Sequence, residues 1–260
     1  MCGEHKQREI AASFEAPEEL LPLIPELLEE LWELGSSPRI IVDMLRLLEL
    51  PSSATRMLDL GCGKGAVSIT LALELGFQVS GIDLFEPFIM DARRRAEESG
   101  VALLCQFRVG DMCDAVREGG DYDIVVYASV GGILGDFTEQ VRYLRATVRP
   151  GGYLVIDDGY LTRDRSTTRS GYRHYRPHDE TVRMLTVHGD ILVREKMLSP
   201  EESRSINEGY LTSIRRRARN LTRRHPHLAG ALREYVARQA QECEFLDRTL
   251  TGATWLLRRT

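Results

Sequence analysis

The chain has 260 residues, a net charge of −5 and 43% hydrophobic residues, a size that suits one large α/β domain or two compact units. No run of the sequence approaches the roughly 18 consecutive apolar residues that a membrane-spanning helix needs. Residues 1–12 mix charges of both signs without an apolar segment, which argues against a secretory signal and predicts a cytoplasmic protein. The five cysteines form no CxxC pair, so neither a disulfide framework nor a zinc site is expected.

Charge is distributed unevenly along the chain. Residues 161–260 contain 20 basic and 12 acidic residues, a net charge of +8, whereas residues 1–160 carry −13. The arginine-rich segment 214–224 is a candidate surface for nucleic acid, because arginines neutralise phosphates. Its arginines would surround much of a helix, no aromatic residue lies among them, and the isoelectric point is about 5.8. We therefore favour a solvated helix face or a site for an anionic small molecule.

Two helical segments precede the first predicted strand. Leucines at helical intervals predict a helix over residues 17–34, which Pro22 and Pro25 would kink or break. Apolar periodicity predicts a second helix that begins at Pro38 and ends before Pro51. We assign residues 1–54 to an N-terminal helical segment.

Residues 55–160 alternate short apolar strands with helical segments. The predicted strands are RMLDL, FQVSGID, LLCQFRVGD, DYDIVVYA and GYLVIDD. Strands without a polar face are typical of a parallel sheet that helices cover on both sides. Residues 92–99 and 138–148 are predicted to form two of these covering helices.

The last hundred residues follow a different pattern. Residues 161–180 lack periodicity and predict a long loop of the kind that often carries function. Alternating residues at 189–198 and 253–259 predict two more strands, and residues 200–224 and 228–250 predict two helices between them.

A glycine-rich turn, residues 61–65, follows the first predicted strand and opens a helix. Glycines let a backbone turn sharply and approach a ligand where a Cβ would collide. The same pattern also binds dinucleotides in other proteins, so a nicotinamide-dependent oxidoreductase is an alternative interpretation. Asp59 favours a cationic ligand instead, because its carboxylate would repel a pyrophosphate at the helix N-terminus. We interpret Cys62 as a small residue of the ligand-binding turn and not as a nucleophile.

Two further aspartates end the second and third predicted strands. Asp83 lies 18 residues after Gly65, where an acidic side chain accepts hydrogen bonds from ribose hydroxyls. Asp111 is placed to accept from an adenine amino group while Leu84 and Met112 pack against the ring. Acidic residues therefore end three successive strands.

This order of motifs across residues 55–160 resembles the class I S-adenosylmethionine-dependent methyltransferase family. The resemblance implies a doubly wound, mostly parallel seven-stranded α/β sheet of the Rossmann-like type, with N-terminal helices and a two-helix C-terminal insertion. It implies a cofactor-binding core at 55–160, and a substrate loop, the insertion and the last two strands at 161–260. Implied contacts with S-adenosylmethionine come from Asp59, Gly61, Cys62, Gly63, Asp83, Leu84, Asp111, Met112, Tyr127 and Ser129.

The implied reaction is in-line methyl transfer to an O, N, S or C nucleophile of a small molecule, leaving S-adenosylhomocysteine. Catalysis then depends mainly on holding the acceptor about 3 to 3.5 Å from the methyl carbon with water excluded. Asp158 and Tyr160 are the candidate general bases, since the end of the fifth strand faces the methyl group in such folds. A donor-binding regulatory protein without turnover is a further alternative, and the oligomeric state stays open.

Metal ligation is not expected from the sequence. His174 and His178 are four residues apart, but the stretch between them is loop-like and contains Pro177. Asp157 and Asp158 are placed like the ligands of metal-dependent O-methyltransferases. The fourth strand ends without the carboxylate that such a site also needs.

Tyrosines gather near the fifth strand and the loop after it, where the resembled family keeps its acceptor pocket. We predict either core positions or an aromatic acceptor pocket for Tyr160, Tyr172, Tyr175 and Tyr210.

Overall fold

The computed structural model describes residues 10–162, 165–169 and 171–260, which form two compact units. One unit joins the N-terminal segment up to Trp32 with Ser199–Arg248, and the other joins Glu33–Leu198 with Thr249–Thr260. This division differs from the three consecutive segments expected from the sequence. The predicted two-helix insertion forms a unit with the N-terminal segment, while the chain on either side of it belongs to the sheet.

The strands all belong to one sheet. Their bounds are β1 Arg56–Leu60, β2 Gln78–Asp83, β3 Cys105–Val109, β4 Tyr122–Ala128, β5 Val148–Leu161, β6 Ile191–Met197 and β7 Leu250–Arg258. The helices flank the sheet or form the other unit. Their bounds are α1 Ile24–Leu27, α2 Pro38–Arg46, α3 Ala66–Leu75, α4 Glu86–Glu98, α5 Met112–Glu118, α6 Phe137–Leu144, α7 His178–Thr186, α8 Pro200–Arg224 and α9 Ala229–Thr249. Short 3₁₀ turns occupy Glu18–Leu23, Ser52–Ala54, Gly132–Leu134 and Pro226–Leu228.

The sheet has seven strands in the order β3-β2-β1-β4-β5-β7-β6. Strands β1 to β5 pair in parallel, and β7 runs antiparallel to both of its neighbours. The predicted doubly wound, mostly parallel seven-stranded fold is therefore confirmed. The strand order reverses direction between β1 and β4, and ligands of such sheets bind in the crevice at the carboxyl ends of the strands on either side of that point.

The helix predicted over residues 17–34 is wrong over most of its length. A 3₁₀ turn at Glu18–Leu23 leads into the four-residue α1, and no helix continues through residues 28–37. Pro22 and Pro25 lack the N–H groups that a continuous helix needs, and a proline ring collides with the preceding turn. The leucines still serve as core, since Leu20 and Leu27 are fully buried.

The long loop predicted over residues 161–180 is shorter than expected. Strand β5 continues to Leu161, and α7 begins at His178 directly after Pro177. Asp179 and Glu180 lie in the first turn of α7, where they complement the helix dipole. Proline followed by acidic residues is a signal for a helix start that the sequence interpretation did not use.

Two other predicted helices have different bounds in the structure. The helix predicted at 92–99 begins earlier, as α4 at Glu86, and the helix predicted at 138–148 is α6, which ends at Leu144 before β5 starts. The structure places a capping box at Asp136, whose side chain accepts from the Glu139 N–H and thereby fixes the start of α6.

Arginines of α8 form ion pairs inside their own unit. Arg216 pairs with Glu30, and Arg217 donates from Nε to the Glu26 carbonyl oxygen at 2.8 Å and pairs with Glu29. These arginines hold α8 to the N-terminal segment. Part of the positive charge of the arginine-rich segment 214–224 is therefore neutralised by acidic residues of the same unit. Over the part of the chain that the structure describes, no helix is long and apolar enough to cross a membrane.

Candidate functional site

The glycine turn after β1 is folded tightly against β2. Gly61, Gly63 and Gly65 have φ values of 72°, 52° and 78°, in the left-handed region that favours glycine. The N–H groups of Gly61 and Cys62 donate to the Ile82 carbonyl oxygen at 2.8 and 3.0 Å. The turn therefore lies at the carboxyl edge of the sheet, between β1 and the strand that carries Asp83.

Two side chains lie directly over Gly61, one from the loop after β4 and one from the start of α5. A Cβ built on this glycine would lie 2.9 Å from Val130 Cγ2 and 3.2 Å from Met112 Cε. Only glycine fits here without moving these two side chains. Met112 was expected at this site from the sequence, whereas Val130 was not.

Gly65 has a different role from the other two glycines. A Cβ at this position would lie 3.0 Å from Phe107 Cζ and 3.1 Å from Ala92 Cβ, both of them core atoms. Gly65 is therefore required for packing between α3 and its neighbours.

Asp83 holds the glycine turn in place. Its carboxylate accepts from the Gly63 N–H at 2.9 Å and from the Phe85 N–H at 2.8 Å. Burial raises the pKa of Asp83, and these backbone hydrogen bonds oppose that rise. The side chain remains partly exposed at the end of β2, so the same carboxylate can reach a ligand.

Asp59 lies beneath the turn and is almost fully buried. Its carboxylate accepts a hydrogen bond from Ser68 Oγ of α3 at 2.6 Å, which ties the end of β1 to the helix that follows. Burial raises the pKa of Asp59 to about 6, and the Ser68 hydrogen bond opposes the rise. In its ionised form this group supplies negative charge below the glycines.

Asp111 caps α5 at its N-terminus. One carboxylate oxygen accepts from the Cys113 N–H at 2.7 Å, a structural role common for aspartate at this position. Leu84, which follows Asp83, is partly exposed at the same edge of the sheet. Both residues lie at the carboxyl ends of their strands, and their contacts with S-adenosylmethionine stay a prediction.

The loop after β4 is held by the Tyr127 side chain. Tyr127 is buried, and its hydroxyl donates to the Gly131 carbonyl oxygen at 2.8 Å. The side chain therefore packs in the core beneath this loop, and a contact between Tyr127 and the methyl donor stays a prediction. Ser129 is exposed in a left-handed conformation, with φ at 55°, and its N–H donates to the Asp157 carbonyl oxygen at 2.7 Å.

A segment ahead of α2 reaches the same site. A Cβ on Gly35 would lie 2.9 Å from Ser129 Cβ, and Leu34 Cδ1 lies 3.2 Å from the Cβ position of Gly63. Residues 34 and 35 therefore lie against both the glycine turn and the loop after β4. The sequence had assigned this segment to the end of a helix and did not connect it with the site.

Two consecutive aspartates on β5 point to opposite faces of the sheet. Asp157 accepts from Thr254 Oγ1 at 2.5 Å, and burial raises its pKa to about 7. Asp158 accepts from the Tyr175 hydroxyl, and its other oxygen, Oδ2, lies 3.8 Å from His174 Nε2. His174 has no role in the sequence interpretation beyond the weak metal motif, and only the tertiary structure brings it to Asp158.

Tyr160 contacts different residues from those that contact Asp158. Its hydroxyl donates to Met197 Sδ at 3.0 Å, and its ring packs edge-on against His178 with ring centres 4.9 Å apart. Burial raises the pKa of Tyr160, so the phenol stays protonated near neutral pH. A protonated phenol is a poor general base, which favours Asp158 of the two candidates.

The predicted tyrosine cluster is divided between the two units. Tyr172 and Tyr175 stack with ring centres 5.8 Å apart in the loop after β5. Tyr210 belongs to α8 in the other unit, so its grouping with these two tyrosines stays a prediction.

Cys62 and His178 have ordinary structural environments. Burial raises the pKa of the Cys62 thiol well above its usual range, which agrees with its interpretation as a small residue of the turn. His178 Nε2 lies 2.8 Å from Glu195 Oε1, away from the contacts of His174. Among the described residues, no group of three or more His, Cys, Asp or Glu side chains is arranged to hold a metal ion.

Comparisons with known proteins also indicate a methyltransferase domain. A sequence profile of a methyltransferase domain matches residues 51–208. A protein of Escherichia coli strain K12, YjhP, is 34% identical over 106 residues, which are 41% of this chain and 42% of that protein. Ubiquinone biosynthesis O-methyltransferase of Methylobacterium sp. (strain 4-46) is 36% identical over 102 residues, 39% of this chain and 40% of that enzyme. The chain thus spans about two fifths of the length of the curated relatives it matches.

Solved structures agree over almost the whole chain. A methyltransferase from Thiobacillus denitrificans, crystallised with S-adenosyl-L-homocysteine, superposes with a TM-score of 0.77 at 20% identity, covering 92% of this chain and 98% of that one. The corresponding Geobacter sulfurreducens structure has a TM-score of 0.77 at 21% identity, covering 90% and 96%. These likenesses confirm the Rossmann-like methyltransferase fold. The profile match extends over more than half of the residues, and the chain therefore belongs to the methyltransferase-domain family.

Proposed function

We propose that this protein binds S-adenosylmethionine at the carboxyl edge of β1 and β2 and transfers its methyl group to a small molecule. The observation that carries the proposal is the glycine cradle at Gly61. No Cβ fits there beneath Val130 and Met112, and the turn is tied through Gly63 to the carboxylate of Asp83. S-adenosylhomocysteine is the expected product.

The charges of the cradle suit this methyl donor better than a dinucleotide. Asp59 lies below the glycines and Asp83 lies at their edge, so the turn carries negative charge. A sulfonium and an ammonium are attracted by that charge, whereas a pyrophosphate is repelled. This contrast is the reason for preferring a methyltransferase over a nicotinamide-dependent oxidoreductase.

The relatives support oxygen as the attacked atom. Several curated relatives are named O-methyltransferases, among them enzymes of ubiquinone biosynthesis and of nocamycin methylation. We extend to this chain only the shared chemistry, transfer to an oxygen of a small molecule. The acceptor itself is left to experiment.

The bound donor supplies the methyl group as an electrophile, so the protein's own residues need mainly to orient and to exclude water. Asp83 and the glycine N–H groups fix the turn against which the donor lies. Val130, Met112 and Leu34 supply apolar cover close to the glycines. Of the two candidate bases we favour Asp158, because burial keeps the Tyr160 phenol protonated.

Calorimetric titration with S-adenosylmethionine and S-adenosylhomocysteine tests the proposal. We expect micromolar binding to the full-length protein and a loss of roughly 10-fold or more in Asp83→Asn, because hydrogen bonds to a charged group contribute about 1.5 to 3 kcal/mol. Asp114→Asn is the matched control, since Asp114 forms only an exposed ion pair with Arg117 among its described contacts. It should bind like the wild type.

A fluorescence titration with NADH separates the main alternative. We expect no saturable binding of NADH to protein that binds S-adenosylhomocysteine. Saturable NADH binding without binding of either methyl-donor compound would replace the methyltransferase proposal with an oxidoreductase.

A further inference from the structure

Asp157 is an acidic side chain of β5 to which the proposed function assigns no role. Its carboxylate accepts from Thr254 Oγ1 at 2.5 Å, and the residue is partly exposed where β5 stops pairing with β4. Among the described residues, no arginine, lysine or histidine forms an ion pair with it. A carboxylate that protein atoms largely surround is costly to ionise unless a cation lies beside it.

The strand register places Asp157 level with the glycine turn. Leu60, the last residue of β1, pairs with Tyr127 of β4. The next residue of β4, Ala128, pairs with Asp157. Neighbouring strands lie about 4.8 Å apart, so Asp157 is about 10 Å from Gly61 along the carboxyl edge of the sheet. Ala128 has only a methyl group and is partly exposed, so a ligand on the glycine turn can extend over it toward Asp157.

Asp157 lies on the same face of the sheet as Asp59. Asp59 pairs with Val126, and Val126 pairs with Val155. Asp157 follows Val155 by two residues, and side chains two positions apart in a strand point to the same face. Asp158 points to the opposite face. Asp157 is therefore the aspartate of β5 that shares a face with the acid beneath the glycine turn.

The loop after β4 holds Asp157 in this position. The Ser129 N–H donates to the Asp157 carbonyl oxygen at 2.7 Å. Ser129 has a φ of 55°, a left-handed conformation that few residues other than glycine adopt. A Cβ on Gly35 would lie 2.9 Å from Ser129 Cβ, so Gly35 packs closely against the strained residue. Residues with such backbone strain cluster at ligand-binding sites, where surrounding contacts maintain them.

We propose that Asp157 attracts the sulfonium of the bound methyl donor and thereby distinguishes S-adenosylmethionine from S-adenosylhomocysteine. The inference rests on the proposed function and concerns the same site. A carboxylate attracts the positive sulfonium, and the attraction is lost with the methyl group because the thioether of the product is uncharged. Asp157 therefore favours binding of the donor over binding of the product.

Binding of the donor should release a proton from Asp157. Burial raises the pKa of Asp157 to about 7, the charge of Asp158 raises it too, and hydrogen bonds from Thr254 and Ser129 oppose the rise. Strands β4 and β7 thus present neutral donors to this carboxyl, while Asp59 lies on the same face two strands away. A cation placed nearby lowers the pKa of a carboxyl. At pH 6.5 the donor therefore displaces a proton that the product leaves in place.

Calorimetry on the full-length protein at pH 6.5, in two buffers of different ionisation enthalpy, counts the released protons. We expect about 0.5 proton or more with S-adenosylmethionine and less than about 0.1 with S-adenosylhomocysteine. Asp157→Asn should release less than about 0.1 with either compound. Asp114→Asn is the matched control and should release protons like the wild type, because Asp114 forms an exposed ion pair with Arg117.

A second variant tests the same carboxyl without removing it. Thr254→Val deletes the hydroxyl that donates to Asp157, so the pKa of Asp157 should rise further. At pH 7.5 this variant should release more protons on binding S-adenosylmethionine than the wild type does. A purely structural role of Asp157 predicts no such increase.

The ratio of the two affinities provides an independent readout. In the wild type, the preference for S-adenosylmethionine over S-adenosylhomocysteine should increase at least about 3-fold from pH 5.5 to pH 7.5, and in Asp157→Asn it should stay constant. Equal proton release with both compounds, or unchanged release in Asp157→Asn, would overturn the inference and leave the methyltransferase proposal intact. If the wild type binds neither compound, both proposals are wrong.

Discussion

The Asp83 carboxylate accepts a hydrogen bond from the Gly63 N–H at 2.9 Å, joining residues 20 positions apart in the chain. Asp83 also accepts from the Phe85 N–H, so one side chain fixes both the end of β2 and the glycine turn. The acidic residue at this spacing is thus part of the architecture of the turn before any ligand arrives. Its loss should weaken ligand binding partly by loosening the glycines.

Gly61 should be intolerant of alanine. In Gly61→Ala the new Cβ would lie 2.9 Å from Val130 Cγ2 at a left-handed φ of 72°, so the loops above the turn must move. We expect at least a 10-fold loss of S-adenosylhomocysteine affinity, measured by calorimetry. Gly100→Ala is the matched control, because Gly100 has a φ of 73° and no atom within 4 Å of its Cβ position. It should lose about 1 kcal/mol of stability and keep its affinity.

Removing the hydroxyl of Ser68 should destabilise the protein. Ser68 is buried and donates to the Asp59 carboxylate at 2.6 Å, so Ser68→Ala leaves a buried charge with one donor fewer. We expect a loss of about 1 to 3 kcal/mol in the free energy of unfolding at pH 8, from urea denaturation. The pKa of Asp59 should rise further above about 6. Ser205→Ala, at an exposed serine of α8, should change stability by less than about 0.5 kcal/mol, and equal effects at both sites would contradict the prediction.

Asp157 should make the protein less stable as the pH rises. Burial raises its pKa from 3.8 to about 7, so between these values the folded chain retains a proton that the unfolded chain has released. Stability contributed by the protonated group is therefore lost from pH 4 to pH 7, by about 2 to 4 kcal/mol. In Asp157→Asn the amide oxygen still accepts from Thr254, and this part of the pH dependence should disappear. The free energy of unfolding of both proteins is measured by urea denaturation at each pH. The same pH dependence in the wild type and in Asp157→Asn would show that Asp157 is ionised over the whole range from pH 4 to pH 7.

Arg217 should be more important for stability than its exposed neighbour Arg219. Arg217 donates to the Glu26 carbonyl oxygen and pairs with Glu29, and it is only 19% exposed. We expect Arg217→Ala to cost about 1 to 2 kcal/mol in the free energy of unfolding, because a partly buried charged hydrogen bond and the packing of its stem are lost. Arg219→Ala should change it by less than about 0.5 kcal/mol. Equal costs would mean that these arginines act only as surface charges.

The sheet could be predicted because its strands carry a local signal. Apolar runs such as RMLDL and DYDIVVYA are buried on both faces, and the spacing between them leaves room for one helix each time. The glycine turn and the acids at strand ends were also visible, since a parallel sheet brings the carboxyl ends of its strands to one edge. The helix predicted over residues 17–34 is wrong over most of its length, and the break expected at Pro22 and Pro25 is a 3₁₀ turn that leads into a four-residue helix.

The contacts between distant loops had no counterpart in the sequence. Nothing local to His174 indicates that its imidazole would face Asp158, and nothing local to Gly35 indicates that it would lie against Ser129. Such pairs depend on where loops of different strands return to the sheet, which is decided by packing over the whole unit. The amino-acid sequence by itself determined the fold class, the glycine cradle and its acidic strand ends, because hydrophobic periodicity and turn chemistry are local. Only the tertiary structure decided which side chains face one another across the crevice, because those distances depend on the packing of loops far apart in the chain.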